Sequence, residues 1–112
     1  MTGLDATFGA LADPTRRGVI ELLRHGPRRA GELADELGMS RPAMSRHLKV
    51  LRDTGLVAPA GDDADARAKI YELLPAPFAA LRRWLEDVER FWTLELAAFK
   101  AHAERKKGKR AP

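Results

Sequence analysis

The stretch that decides the fold runs from Gly31 to Val57 and reads GELADELGMSRPAMSRHLKVLRDTGLV. Leu33 and Leu37 stand four residues apart and predict the apolar edge of a short helix. Gly38 follows, and glycine readily takes the left-handed backbone conformation that ends a helix. The first part of the stretch therefore predicts a short helix followed by a tight turn.

A second helix is predicted over Arg41–Asp53. Ser40 is a favourable N-cap, and Pro42 fits the first turn, where its missing N–H removes no helical hydrogen bond. One face is largely apolar, with Met44, His47, Leu48 and Leu51 at i, i+3, i+4 and i+7. The other face carries Arg41, Pro42, Ser45, Arg46 and Lys49. Two helices joined by a tight turn, with this division of faces, are typical of a helix-turn-helix.

The basic face predicts contacts with double-stranded DNA, because the second helix of such a unit enters the major groove with its N-terminal residues leading. Arg41 and Arg46 can hydrogen-bond a guanine edge in a bidentate manner or bind a phosphate, and Ser45 can contact either. Pro42 offers apolar contact, for example with a thymine methyl, and Lys49 is placed for a phosphate. The predicted DNA-binding residues here are Ser40, Arg41, Pro42, Ser45, Arg46 and Lys49.

After this helix, two short strand-like runs, Leu56–Val57 and Lys69–Leu73, flank the polar segment GDDADARA. They predict a β-hairpin of the kind called a wing. Arg67 and Lys69 can reach the DNA backbone or the minor groove, but phosphates would repel the aspartates at the tip, which are Asp62, Asp63 and Asp65. The turn and the wing together favour DNA binding over a basic helix face that is only solvated.

These segments also carry a family resemblance. SRPAMSRHLKVLRDTGLV, the upstream ALADPTRRGVIELL and the later KIYEL together resemble the ArsR-type winged helix-turn-helix repressors, over about residues 8–99. The resemblance implies a mainly α fold with a small β-hairpin and dimerisation through the terminal helices. It also implies base contacts at the positions of Arg41, Pro42, Ser45 and Arg46. Because the wing of that family is commonly basic, the acidic tip here predicts a weaker contribution from the wing.

The N-terminal segment predicts two more helices. The first contains apolar residues at helical spacing, which are Leu4, Phe8 and Leu11. The second begins at Asp13 as N-cap with Pro14 in the first position, and it extends to about Arg24. Arg16 and Arg17, in its first turn, have two open interpretations, which are contact with phosphate and simple solvation.

A long amphipathic helix is predicted over residues 77–104. Its apolar stripe includes Leu81, Trp84, Leu85, Val88, Phe91, Trp92, Leu96 and Phe99. Because so small a chain has little core left to cover this stripe, we expect the stripe, with Leu4 and Phe8, to form a homodimer interface. The alternative is that the stripe closes only the chain's own core. Residues 1–104 are predicted to form one domain, and the basic residues 105–112 a disordered tail.

Length and charge limit the possible functions further. The 112 residues fit one domain, and the net charge of +4 is uneven, since residues 14–55 carry +4 and residues 105–112 carry +5. This distribution is typical of a protein with one face that meets phosphate. No apolar run is long enough to span a membrane, and the N-terminus lacks a signal-peptide pattern, so a cytoplasmic location is expected.

The residue types also argue against metal binding and catalysis. The chain has no cysteine, and its histidines are far apart in sequence, at His25, His47 and His102. We find no spacing typical of a metal site, no glycine-rich phosphate loop and no nucleophile with an obvious base. The sequence therefore predicts no metal, no cofactor and no enzymatic activity.

The predicted function is that of a homodimeric transcriptional repressor that binds a two-fold symmetric DNA operator. One alternative is a dimeric interaction module without DNA binding, favoured by the acidic wing tip. The other is a small-molecule-responsive regulator with a ligand in the aromatic seam of Trp84, Phe91 and Trp92. No pattern in the sequence identifies the operator, the regulated genes or a small-molecule effector.

Overall fold

The computed structural model describes residues 3–60 and 69–109, with side chains as far as Lys106. In chain order the elements are α1 (Gly3–Leu11), α2 (Pro14–Leu23), β1 (Arg28–Arg29), α3 (Ala30–Glu36), α4 (Arg41–Asp53), β2 (Val57–Pro59), β3 (Ile70–Leu73) and α5 (Pro75–Lys109). The chain divides into two compact units, Met1–Ala80 and Leu81–Pro112. The mainly helical class with a small sheet agrees with the prediction.

The turn between α3 and α4 is built by backbone hydrogen bonds that a glycine makes possible. Gly38 has a φ of +64°, in the left-handed region. Its N–H donates to the carbonyl of Asp35, and the N–H of Met39 donates to the carbonyl of Ala34 at 2.9 Å. This pair of bonds satisfies the last carbonyls of α3 and fixes the direction in which the chain leaves it. The predicted turn is therefore confirmed in its atomic detail.

A left-handed glycine with the same pair of backbone hydrogen bonds also ends α4. Gly55 has a φ of +76°, its N–H donates to the carbonyl of Arg52, and the N–H of Leu56 donates to the carbonyl of Leu51 at 2.9 Å. Leu56 and Val57, directly after this turn, are buried. Helix α4 thus has a defined end, and the chain passes from it straight into β2.

The sheet has three antiparallel strands in the order β1-β3-β2, whereas a two-stranded hairpin was predicted. Val57 pairs with Leu73 across the predicted hairpin, and Arg28 pairs with Tyr71 on its other side. The additional strand, β1, is only two residues long and lies directly before α3. The N–H of Ala30, which starts α3, donates to the carbonyl of Lys69 at 3.1 Å.

One apolar core lies in the unit Met1–Ala80. It contains Ala10, Val19, Leu23, Leu33, Ala34, Met44, Leu48, Leu51, Leu56, Val57 and Tyr71. Helix α1 presents Thr7 and Ala10 to the interior. Of its predicted apolar residues, Leu4 is half-buried and Phe8 is exposed, while Leu11 packs against the core. The core is therefore contributed mainly by α2, α3, α4 and the sheet.

Helix α5 is longer than predicted. It starts at Pro75, two residues earlier than expected, and continues to Lys109, five residues beyond the predicted end at Glu104. Proline is compatible with a first helical turn because the N–H groups there have no helical partner. Phe78 packs against the core of the first unit. Among residues 3–60 and 69–109, no helix is both long and apolar enough to cross a membrane.

Candidate nucleic-acid interface

The two faces of α4 are separated in the way that the sequence predicts. Met44, Leu48 and Leu51 are buried in the core. The six residues predicted to contact DNA, Ser40, Arg41, Pro42, Ser45, Arg46 and Lys49, are all exposed. Because the buried face anchors the helix, the exposed face is presented on a rigid support, which favours specific recognition.

Ser40 holds the N-terminus of α4 in place. Its backbone has φ −66° and ψ 155°, outside the helical region, and its Oγ accepts a hydrogen bond from the N–H of Ala43 at 3.2 Å. The hydroxyl hydrogen is still a donor, so the capping role does not prevent contact with a phosphate oxygen. The predicted cap is thus confirmed, and the predicted DNA contact of this residue stays a prediction.

The Arg41 side chain lies against the first turn of α3. A Cβ atom placed on Gly31 would stand 3.0 Å from Arg41 Nη1, so the missing side chain makes room for the guanidinium. An open cavity of about 200 Å³ adjoins this contact and is lined by Ala30, Gly31, Arg41, Met44 and Ser45. The Arg41 guanidinium is therefore held between Gly31 and an open cavity beside the exposed face of α4.

Lys49 is engaged in an ion pair. Its Nζ donates to Asp53 Oδ2 at 2.8 Å, one helical turn further along α4. This hydrogen bond, together with the charges of Lys49 and Arg52, lowers the pKa of Asp53 below its ordinary value. For Lys49 to bind a phosphate, as predicted, the phosphate must compete with the Asp53 carboxylate.

Arg16 and Arg17 have a structural role that neither open interpretation included. Arg16 Nε donates to the carbonyl of Ala10 at 2.7 Å, and its Nη2 donates to that of Gly9 at 3.2 Å. Arg17 Nη1 donates to the carbonyl of Leu11 at 2.7 Å. The two guanidinium groups thus bind the final carbonyls of α1, where a positive charge also interacts favourably with the helix dipole.

His47 is half-buried at the side of the apolar face of α4 and connects to the start of α2. Its Nδ1 is 3.4 Å from Arg16 Nη1 and 3.9 Å from Asp13 Oδ2. Asp13 adopts the extended backbone of an N-cap but makes no side-chain capping bond, and its buried Oδ2 accepts no hydrogen bond from residues 3–60 or 69–109. The predicted capping hydrogen bond is therefore absent, since this carboxylate faces His47 instead.

The wing is described only in part. Lys69 is exposed directly before β3. Arg67 and the acidic tip residues Asp62, Asp63 and Asp65 lie outside the described residues. Three further arginines were not predicted from the sequence as contact residues: Arg28 and Arg29, which form β1, and Arg52, which lines a second cavity together with Lys69. Arg52 follows Ser45 and Lys49 at i+7 and i+3, a helical spacing that could have indicated it.

The surfaces predicted to form a dimer are exposed in both units. In the first unit Phe8 is 41% exposed. In the second, Leu81 and Val88 are half-buried, and the remaining predicted residues are exposed, namely Trp84, Leu85, Phe91, Trp92, Leu96 and Phe99. The exposure rises to 72% at Phe99. So many exposed aromatic and aliphatic side chains on one helix are typical of an interaction surface.

The described part of the chain brings together no group of three or more histidine, cysteine or carboxylate side chains that could hold a metal ion. His47 lies 3.9 Å from the Asp13 carboxylate, and these two groups are fewer than the three or four protein ligands of a typical zinc site.

Comparison with known proteins decides the family. The family model described as "Bacterial regulatory protein, arsR family" matches residues 13–58, from the N-cap of α2 to β2. The HTH-type transcriptional regulator Rv2034 of Mycobacterium tuberculosis is 47% identical over 95 residues, which is 85% of this chain and 83% of that protein. The chain belongs to the ArsR family.

Further relatives support the same family assignment. The transcriptional repressor SdpR of Bacillus subtilis is 34% identical over 55 residues, 49% of this chain and 61% of that protein. Among solved structures, an ArsR-like transcriptional regulator from Rhodococcus sp. RHA1 aligns with a TM-score of 0.77 at 33% identity, covering 94% of this chain and 98% of that one. The protein is a DNA-binding transcriptional regulator with a winged helix-turn-helix, as its resemblance implied.

Proposed function

We propose that this ArsR-family protein is a homodimeric repressor that acts in the cytoplasm on a two-fold symmetric operator. Each protomer would place α4 in a major groove, and the two helices would lie about 34 Å apart along the duplex. The observation that carries the proposal is the division of α4, whose apolar face is buried while its six predicted contact residues are exposed. Family membership favours DNA binding over the alternative of a pure interaction module.

Base readout is assigned to the N-terminal half of α4. Arg41 and Arg46 are the exposed guanidinium groups nearest the end that enters the groove first, and each can bind a guanine edge with two hydrogen bonds. Ser45 and Pro42 lie between them on the same face. Lys49, further from the leading end, is assigned to a phosphate, as is the hydroxyl of Ser40.

Dimerisation is assigned to α5 and α1. The exposed stripe on α5 and the exposed Phe8 of α1 would be covered by a second copy of the chain. Burial of aromatic side chains is the main source of affinity at such interfaces. A dimer also supplies the two-fold symmetry that the operator requires. Repression would follow from occupancy of a promoter, and the Bacillus subtilis relative is named a transcriptional repressor.

The test begins with the selection of genomic DNA fragments that the protein binds, followed by titration of one selected duplex and one random-sequence duplex by fluorescence anisotropy. The variant with Arg41→Ala and Arg46→Ala should lose about 100-fold or more in affinity for the selected duplex. Its affinity for the random-sequence duplex should fall less, because the two duplexes have only the phosphate contacts in common.

The matched control is a variant with Arg24→Ala and Arg83→Ala, which removes the same charge from the end of α2 and from α5. It should keep the preference for the selected duplex. If the Arg41 and Arg46 variant keeps that preference too, these side chains do not read bases. Transcription from a promoter that contains the selected sequence should fall when wild-type protein is added, and activation would contradict repression.

A further inference from the structure

A second open cleft lies beside the C-terminal half of α4, between this helix and strand β3. It has a volume of about 220 Å³, and its walls include Ser45, Lys49 and Arg52 from α4 with Lys69 and Tyr71 from the sheet side. A water molecule takes about 30 Å³ in the liquid. The cleft is therefore large enough for an ion of the size of a phosphate group together with water.

The described lining of the cleft is positively charged. Of the lining residues within 3–60 and 69–109, three are cationic and none is acidic. Lys49 is partly neutralised by Asp53, at 2.8 Å. Arg52 and Lys69 make no ion pair with any residue in the described ranges 3–60 and 69–109, so their charges are available to a ligand. Cationic donors around one cleft, two of them without an ion pair among the described residues, are suited to an anion.

The backbone on both sides of the cleft is held firmly. Arg52 follows Leu51, which is fully buried. The carbonyl of Arg52 accepts a hydrogen bond from the N–H of Gly55 at the end of α4. The carbonyl of Lys69 accepts from the N–H of Ala30 at 3.1 Å, and Tyr71 is 5% exposed and pairs with Arg28. The two cations thus stand on fixed supports, which reduces the entropic cost of binding a ligand.

Duplex geometry indicates what would enter the cleft. When a helix lies in the major groove and a wing approaches the adjacent minor groove, the sugar-phosphate strand between the two grooves runs between helix and wing. The cleft lies at this position, between α4 and the strand that leaves the wing. We propose that it holds a backbone phosphate of the DNA, contacted by Arg52 from one side and by Lys69 from the other.

This inference rests on the proposed function, because it assumes that α4 occupies a major groove. It adds Arg52 as a phosphate-binding residue and joins it with Lys69 in one site. The role is one of positioning. A phosphate contact fixes the register of the protein on the duplex but does not distinguish one base sequence from another.

The test is the salt dependence of binding by Arg52→Ala, measured by anisotropy between about 50 and 200 mM salt on the selected duplex and on a random-sequence duplex. Because Arg52 and Lys69 share one phosphate, Arg52→Ala should make the slope of log affinity against log salt shallower by up to about 0.9 per protomer, hence by up to about 1.8 for a dimer. The double variant with Lys69→Ala should reach that full change. The ratio of specific to random affinity should stay unchanged. Lys69→Ala should behave in the same way, and Arg52→Lys should restore most of the slope.

The matched control is Arg24→Ala, which removes the same charge from the end of α2, outside the cleft, and should leave the slope close to that of the wild type. Circular dichroism and thermal unfolding verify that the variants are folded. An Arg52→Ala slope equal to that of the control would overturn the proposal. A fall in the specific-to-random ratio would also overturn it, because Arg52 would then contact a base.

Two further outcomes distinguish this proposal from the repressor proposal and from a site for free anions. If the wild-type protein shows no preference for any selected fragment, the repressor proposal fails, while the slope on random DNA still tests the cleft. Inorganic phosphate that occupies the cleft should compete with DNA beyond the effect of chloride at matched ionic strength. If phosphate binds the wild type and not Arg52→Ala, yet competes with DNA no better than chloride does, the cleft is a site for free anions, and the assignment to DNA is wrong.

Discussion

Helices α4 and α5 have the same kind of sequence pattern and opposite surroundings. Both carry apolar residues at intervals of three and four. The apolar face of α4 is closed within the chain, where Met44 is 1% exposed and Leu51 is fully buried. The stripe of α5 is open, with Phe91 at 59% and Phe99 at 72% exposure. A periodic stripe thus predicts an apolar helix face, but only the fold decides whether the chain itself covers that face.

This contrast separates three quantities that can be measured independently. The inner face of α4 should govern the free energy of unfolding, since its side chains fill the core. The stripe of α5 should govern the association of protomers. The outer face of α4 should govern DNA affinity, with little effect on the free energy of unfolding or on the association of protomers. Exposed substitutions usually change stability by no more than about 0.5 kcal/mol.

The largest effect is expected from the inner face. Leu51→Ala should lower the free energy of unfolding by about 2–5 kcal/mol, because it removes buried methyl groups and leaves a cavity in the core. Chemical denaturation at one fixed protein concentration measures this, since the stability of a dimer depends on concentration. Arg46→Ala, on the outer face of the same helix, is the control and should stay within about 0.5 kcal/mol of the wild type. Equal losses in the two variants would contradict the division of faces.

The next effect tests the open stripe. Trp92→Ala should raise the dimer dissociation constant by about 30-fold or more, as expected when a large aromatic residue is removed from the centre of an interface. Analytical ultracentrifugation over a range of concentrations measures it. The free energy of unfolding of a chain held in the monomeric state should change little, since Trp92 is already 58% exposed in the single chain.

Helix α5 offers a matched control for this experiment. Leu94 is 65% exposed, but it lies about 160° around the helix from Trp92, away from the stripe. Leu94→Ala should therefore leave the dissociation constant close to that of the wild type. If Leu94→Ala weakens the dimer as much as Trp92→Ala does, the interface is not the predicted stripe. A wild-type chain that stays monomeric at all concentrations would remove the homodimer proposal altogether.

The features that could be predicted from the sequence are the locally encoded ones. The turn at Gly38, the cap at Ser40 and the bounds of α4 depend on residues within one or two helical turns of each other. The division of α4 into a buried and an exposed face follows from a period of 3.6 residues. For these features the local preference and the final packing agree, so the sequence was sufficient.

The features that were missed depend on contacts between distant segments. Strand β1 has two arginines and no strand pattern, and it is extended because Arg28 pairs with Tyr71, 43 positions later. Arg16 binds the end of α1 because the two helices fold back on each other. The cleft beside Arg52 exists only once β3 lies next to α4. Periodicity within one helix contains no information about such neighbours.

The smallest expected effect concerns the pair of Lys49 and Asp53 on the exposed face of α4. The pKa of Asp53 lies below its ordinary value, mainly because the carboxylate accepts a hydrogen bond from Lys49. A group with a depressed pKa contributes stability above the ordinary aspartate value of about 3.9, and the contribution fades as the pH falls through the lower folded value. Between about pH 5 and 8 the carboxylate stays charged, so a DNA phosphate that binds Lys49 as proposed would have to displace it.

Asp53→Asn should therefore raise affinity for a random-sequence duplex by about two- to threefold, since an exposed ion pair of this kind is weak. The gain should be the same at every pH between about 5 and 8, because Asp53 does not titrate there. In the background of Lys49→Ala the gain should shrink toward that of Asp35→Asn, which removes a charge from the exposed surface of α3. A gain that persists in full without Lys49 would mean that Asp53 repels the duplex directly, and the carboxylate would then not act as a competitor for the lysine.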